Sequence, residues 1–212
     1  MTLNHYLISL SLTFILYFIF IKNKNETVLR KPLFILIGTN LISFNSYLIL
    51  TNKFDLTIHL PLHLCYLTEL GIFISLIFKS QLFYPWFLLN SLGGGITGFL
   101  NSNLDQEAMF IEHIHLHMSH FNLLLFSLFL YKSKYYIKKI EFKISIIFNS
   151  LIFMIVFFLN ENFGSNYWFT KNKPPGINLT SALPDWPYYL IILTFIGLIS
   201  YYVTYIIFSK KS

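Results

Sequence analysis

Apolar residues fall into long, nearly unbroken runs parted by short polar stretches, at about 5–21, 33–50, 58–78, 82–100, 109–131, 141–160 and 187–208. Each run approaches the ~20 residues that a helix needs to cross a bilayer core. The pattern predicts an all-α, polytopic membrane bundle of about seven transmembrane helices, a single domain over residues 1–212. The longest interruption, about 161–186, is too short for a soluble domain. No basic flank precedes the first run and no small-residue cleavage site follows it, so it reads as a retained helix rather than a signal peptide.

Composition agrees. With 55% hydrophobic and 11% charged residues, the chain has too little charge to cover a soluble globule. A net charge of +6 would suggest nucleic acid in a soluble protein, but in a membrane protein the distribution of basic residues among loops decides. One set of segments holds Lys22, Lys24, Arg30, Lys31, Lys79, Lys132, Lys134, Lys138, Lys139, Lys143, Lys210 and Lys211; the other holds Lys53, Lys171 and Lys173. The bias predicts the N-terminus outside and the C-terminus cytoplasmic, in a cell membrane expected to be bacterial, with no nucleic-acid partner. One cysteine, Cys65, excludes an internal disulfide and a cysteine-rich metal site but leaves a nucleophile.

The polar residues inside the runs are concentrated at one end. "HLPLHLCYLTELG", His59 to Gly71, and "EHIHLHMSH", Glu112 to His120, place six of the seven histidines, Cys65, Glu69 and Glu112 in the expected outer half of the membrane. Ionisable groups in spans are costly and usually face a bundle interior or a water-filled cavity. His59, His113 and His115 lie near the expected ends of their runs and suit the headgroup boundary. Cys65, His117 and His120 lie deeper. At about 100° per residue, His113, His117 and His120 share one stripe of the fifth helix while His115 points away. On the third helix Cys65 shares a stripe with Thr68 and Glu69, and His63 points away from the sulfur unless Pro61 unwinds that turn. The base for Cys65 is therefore sought on helix five, His120 or His117, with Glu69 or Glu112 placed to orient the imidazole.

Two further stretches carry weight. "SLGGGITG", Ser91 to Gly98, predicts close helix contact, with exposure of backbone N–H groups to an oxyanion as a lesser alternative. "ENFGSNYWFTKNKPPGINLTSALPDWPYYL" is rich in Gly, Pro and interfacial aromatics and is expected to cover the outer mouth. In it, Asn166 and Tyr167 are candidates to bind a substrate ester, Lys171 and Lys173 to meet lipid phosphate, and Trp186 to anchor at the interface. Asn149 and Asn160 are expected to pair with neighbouring helices.

"LPLHLC", the "SH" of helix five, and "NYWF…KPPG…LPDWPYY" resemble the YwaF-like family of integral membrane proteins, over about His59 to Tyr189. That family includes a eukaryotic transmembrane acyltransferase of ether phospholipids. The resemblance implies a nucleophilic role for Cys65, with His63 and His120 as the matching imidazoles. The expected function is a lipid acyltransferase at the outer leaflet, passing a phospholipid acyl chain through a thioester to a membrane-lipid acceptor, without a cofactor. A histidine–metal lipid hydrolase is a second reading, although three ligands on one straight helix are too far apart for zinc without help from another helix, and no metal residues are assigned. A proton-coupled transporter is the third, opposed by ionisable groups that stop at one half of the membrane.

Overall fold

The computed structural model describes residues 2–22, 27–105, 107–176 and 178–210; Lys24 and Lys211 lie outside the described residues. Among these are seven α-helices: α1 (Thr2–Lys22), α2 (Thr27–Leu50), α3 (Leu64–Ile77), α4 (Tyr84–Leu100), α5 (Phe110–Lys132), α6 (Lys139–Phe163) and α7 (Tyr188–Phe208). Short 3₁₀ turns at Tyr167–Phe169 and Leu179–Ala182 interrupt the connection from α6 to α7. The expected all-α bundle is the observed architecture, with no strand among the described residues. Five helices, all but α3 and α4, are long and apolar enough to cross a membrane.

α5 is the central post, packing against α1, α2, α3 and α4. Its side chains Leu123, Leu125, Phe126 and Leu130 are fully buried. α1, α6 and α7 turn Phe14, Phe18, Met154, Phe158, Phe195 and Ile199 outward, as lipid-facing helices do. Because lipid tails solvate apolar side chains as well as a protein core does, small residues and buried polar pairs must hold such a bundle together. A β-carbon on Gly71 of α3 would meet the Phe87 ring of α4, and one on Gly95 would meet Leu124 of α5. Trp86 Nε1 donates to Asn149 Oδ1 at 3.2 Å, joining α4 to α6, and Tyr201 of α7 donates to Asn90 of α4.

The third helix departs from expectation. The run at 58–78 is not helical throughout: residues 55–63 form tight turns and α3 begins only at Leu64. Pro61 lacks an N–H and disfavours helix at Leu60; the Leu60 N–H goes instead to the Tyr167 hydroxyl at 3.0 Å. Cys65 thus sits in the first turn of a 14-residue helix only about 21 Å long. Irregular backbone at membrane depth is tolerated where it is buried in protein or lines a cavity. Residues 57–59 and 63 line one.

Candidate functional site

The first turn of α3 presents N–H groups without intrahelical acceptors, and no side chain caps it at His63. Cys65 lies within that turn, its sulfur resting on α4: a β-carbon on Gly94 would stand 3.2 Å from Sγ. One turn along α4, a β-carbon on Gly98 would overlap the His120 ring on its Nε2 edge. The glycine run therefore seats a sulfur from α3 and an imidazole from α5 on two positions one turn apart, about 6 Å along the axis of α4. Both side chains line the same cavity of about 770 Å³. No hydrogen bond joins them among the described residues.

Backbone contacts set the tautomers. His120 Nδ1 lies 2.7 Å from the Leu116 carbonyl; a carbonyl only accepts, so Nδ1 carries the proton and a neutral His120 keeps its lone pair on Nε2. His63 is opposite in sense. Its Nδ1 accepts from the Trp168 N–H at 3.4 Å, leaving Nε2–H as a donor in the neutral ring. Pro61 has unwound the turn, and His63 lines the cavity with Cys65. One imidazole of this wall thus keeps an acceptor nitrogen and the other an N–H donor.

His117 is not part of the cavity wall. Its Nδ1 meets the His113 carbonyl at 2.8 Å, and its ring lies 4.7 Å from that of His5 on α1. The cavity-facing stripe of α5 runs instead through Glu112, His115, Leu116 and Ser119, with His120 at its edge. His115, expected to point away, is 9% exposed and stacks on Phe44 with ring centroids 3.9 Å apart. His59, expected at the headgroup boundary, is buried too. Its Nδ1 accepts from the Asp55 N–H at 2.9 Å, and its Nε2 is 3.5 Å from Glu112 Oε1. The other Glu112 oxygen accepts the Met109 N–H at 2.6 Å, capping α5.

Glu69 touches no imidazole. Fully buried beneath the cavity, its carboxylate accepts from Asn40 Nδ2 at 3.0 Å, from Asn122 Nδ2 at 2.7 Å and from the Ser119 hydroxyl. Three neutral donors from α2 and α5 thus satisfy one carboxylate from α3. Ser119 also lines the cavity. Its place was open to sequence reasoning through the stripe it shares with Glu112 and His115, three and four residues apart.

The segment after α6 folds onto the entry to α3. Asn160 organises it, donating to the Tyr167 carbonyl and to Thr170 Oγ1, each at 2.7 Å, and accepting from the Ser165 hydroxyl and the Tyr167 N–H. Asn160 therefore holds a loop, whereas Asn149 pairs with a neighbouring helix. The Tyr167 hydroxyl donates to the Leu56 carbonyl at 2.7 Å and its ring packs edge-on to His63. Burial among these loops pushes the phenol up to about 12, against the opposing bond from the Leu60 N–H. Trp168 Nε1 donates to the Leu62 carbonyl at 2.6 Å. Trp168 and Phe169 adopt φ of 58° and 54°, a left-handed conformation costing a side-chain-bearing residue about 1–2 kcal/mol, which persists only where surroundings over-determine it.

The remaining loop candidates are engaged locally. Asn166 lines the cavity, yet its amide donates to the Asn172 carbonyl and accepts from the Lys171 N–H. Lys171 pairs with Glu161 at 3.2 Å and Lys173 with Asp185 at 3.0 Å. Trp186 is more than half exposed and donates to the Thr170 carbonyl at 3.1 Å. Among the described residues no three His, Cys, Asp or Glu side chains are arranged to hold a metal ion.

A family model described as the TMEM164 family matches residues 1–205. The chain belongs to the TMEM164 family. No curated protein and no solved structure matches it. With five long apolar helices, this TMEM164-family chain is an integral membrane protein. The site described above joins four stretches of the matched region: the α3 entry, the α4 glycines, the α5 histidines and the loop after α6.

Proposed function

We propose that this TMEM164-family protein is a membrane-embedded lipid acyltransferase in which Cys65 is the nucleophile and His120 the base. The observation that carries this reading is the seating of Sγ on Gly94 and of the His120 ring on Gly98 within one cavity. The likeness of the "LPLHLC" and "NYWF" segments to a family containing an ether-phospholipid acyltransferase supports it.

The thiol proton passes to His120 Nε2 as sulfur attacks the ester carbonyl carbon of a phospholipid, forming the C–S bond. Free N–H groups at the start of α3 and the His63 Nε2–H stabilise the oxyanion. Collapse breaks the ester C–O bond, and His120 returns the proton to the leaving alkoxide, releasing a lysolipid. An acceptor hydroxyl or amine then loses its proton to His120 and attacks the thioester; the new C–O or C–N bond forms, the C–S bond breaks, and the thiolate regains the proton.

Glu69 fixes Ser119 and the spacing of α2, α3 and α5 rather than orienting an imidazole. Asn166 is the loop's contribution to the polar part of the cavity. Tyr167 positions His63, while Lys173 and Trp186 shape the rim. We assign the cavity to the outer leaflet on the charge bias of the loops, supported by Arg30, Lys31 and Lys79 gathering around a separate hollow of about 460 Å³.

Intact mass spectrometry of protein purified from membranes tests the reading. A hydroxylamine-labile acyl adduct is expected on wild type, none on Cys65→Ser, and slowed formation on His120→Ala. A thiol left unmodified after prolonged incubation with phospholipid overturns it.

A further inference from the structure

The cavity also reaches the flank of the bundle. α4 and α7 touch near the middle of each helix, where a β-carbon on Gly93 would run into the Ser200 hydroxyl. Towards the cavity end the same two helices present Thr97 and Leu193, and both line the cavity. Thr97 is exposed as well, so the hollow opens to the surface there. Leu193, Gly197 and Ser200 follow one stripe of α7 (i, i+4, i+7). Between the Ser200 contact and Leu193, a β-carbon on Gly197 would meet nothing within 4 Å. The two helices are thus pinned at Gly93–Ser200 and part above it.

The order of residues round α4 places this gap beside the sulfur. At about 100° per residue, Gly93, Thr97, Gly94 and Gly98 succeed one another round the helix. Their neighbours are, in turn, the Ser200 contact, the gap, the Cys65 sulfur and the His120 ring. Outside the gap, Ile96 and Leu100 of α4 and Phe195 and Ile196 of α7 are exposed, so the medium it opens into is hydrocarbon. Inside, Leu104, Leu116 and Leu193 continue that apolar surface, whereas Thr57, Asn103, Asp105, Glu107, Glu112 and Asn166 are among the polar residues of the wall. The Asn103 side-chain Oδ1 is buried with no hydrogen-bond partner among the described residues.

We propose that the gap between α4 and α7 is a lateral portal that seats one acyl chain of a bilayer phospholipid. The chain lies between Thr97 and Leu193 and the polar headgroup turns towards Thr57 and Asn103. A volume of about 770 Å³ falls within the range of small-molecule sites. The site rests on the acyl-transfer reading only for placing the ester beside Cys65; seating the chain needs no turnover.

The test uses full-length Cys65→Ala protein in phosphatidylcholine vesicles containing a trace of phosphatidylcholine with a diazirine in its acyl chain. After illumination, label is expected on peptides carrying Thr97, Leu116 and Leu193. Combining Thr97→Trp with Leu193→Trp lowers label at Leu116 about tenfold, a loss of ~1.4 kcal/mol of binding, and leaves label at lipid-facing Met154 unchanged. If the tryptophan pair fails to purify as a folded protein, Leu193→Phe replaces it, with a drop of at least about twofold expected. Label confined to outward faces such as Met154, or undiminished at Leu116 in the blocked variants, overturns the portal. An unacylated Cys65 in wild type alongside the expected labelling overturns the thioester chemistry and leaves the portal standing; an acyl adduct without portal labelling does the reverse.

Discussion

Cys65 Sγ rests on Gly94, 3.2 Å from where a β-carbon at that position would stand. The sulfur is held against a neighbouring helix rather than turned towards lipid. Gly94→Ala asks sulfur to yield by a few tenths of an ångström. Gly98→Ala forces the His120 ring to leave its seat. Overpacking of this kind costs about 1–3 kcal/mol. Both variants are expected to fold. Gly98→Ala should slow formation of the acyl adduct, as His120→Ala does, while Cys65 still reacts with a small maleimide, as mass spectrometry of the two modifications will reveal.

Glu69 binds three donors while fully buried. Glu69→Ala leaves Asn40, Asn122 and Ser119 donors without their acceptor, each costing about 1–3 kcal/mol when buried. Thermal unfolding in detergent should fall sharply. Glu69→Gln should recover only part of the loss, because its amide sets an N–H against one of those donors. Equal stability of Glu69→Ala and wild type would refute the clamp.

Asn160 makes four hydrogen bonds within the segment that covers His63. Asn160→Ala removes them, at about 0.5–1.5 kcal/mol apiece. Hydrogen exchange should accelerate across 165–170 and leave α5 protected. The acyl adduct should form more slowly, since the Trp168 N–H no longer orients His63.

The Asp55 carboxyl is held below its usual range, first by the Thr57 N–H and then by the Thr57 hydroxyl, both at 2.7 Å. A depressed folded value means the turn's contribution is present above the ordinary carboxylate pKa and lost as pH falls through the folded one. Acidification below about pH 4 should therefore loosen the turn that places His59. Thr57→Val should move the onset of loosening to higher pH, and Asp55→Asn should remove that acid dependence. Hydrogen exchange of 55–59 across pH gives the measurement.

Much of the architecture was legible along the chain. The seven helices could be read because apolar runs mark them locally, although α3 and α4 are not long and apolar enough to cross a membrane. The collection of histidines, Cys65 and Glu69 at one end could be read for the same reason, since position along a helix is depth in a membrane. The unwinding at Pro61 was open from sequence, because a proline permits a break that only its surroundings decide; here Tyr167, over a hundred residues away, takes up the Leu60 N–H. The choice between His117 and His120 turned on about 60° of helix rotation, which depends on how α5 packs against α1 and α4. The sequence by itself determined which groups lie in apolar runs and in what order along them. Tertiary structure alone decided which of them meet, because the direction in which a side chain points is set by the helices packed against it.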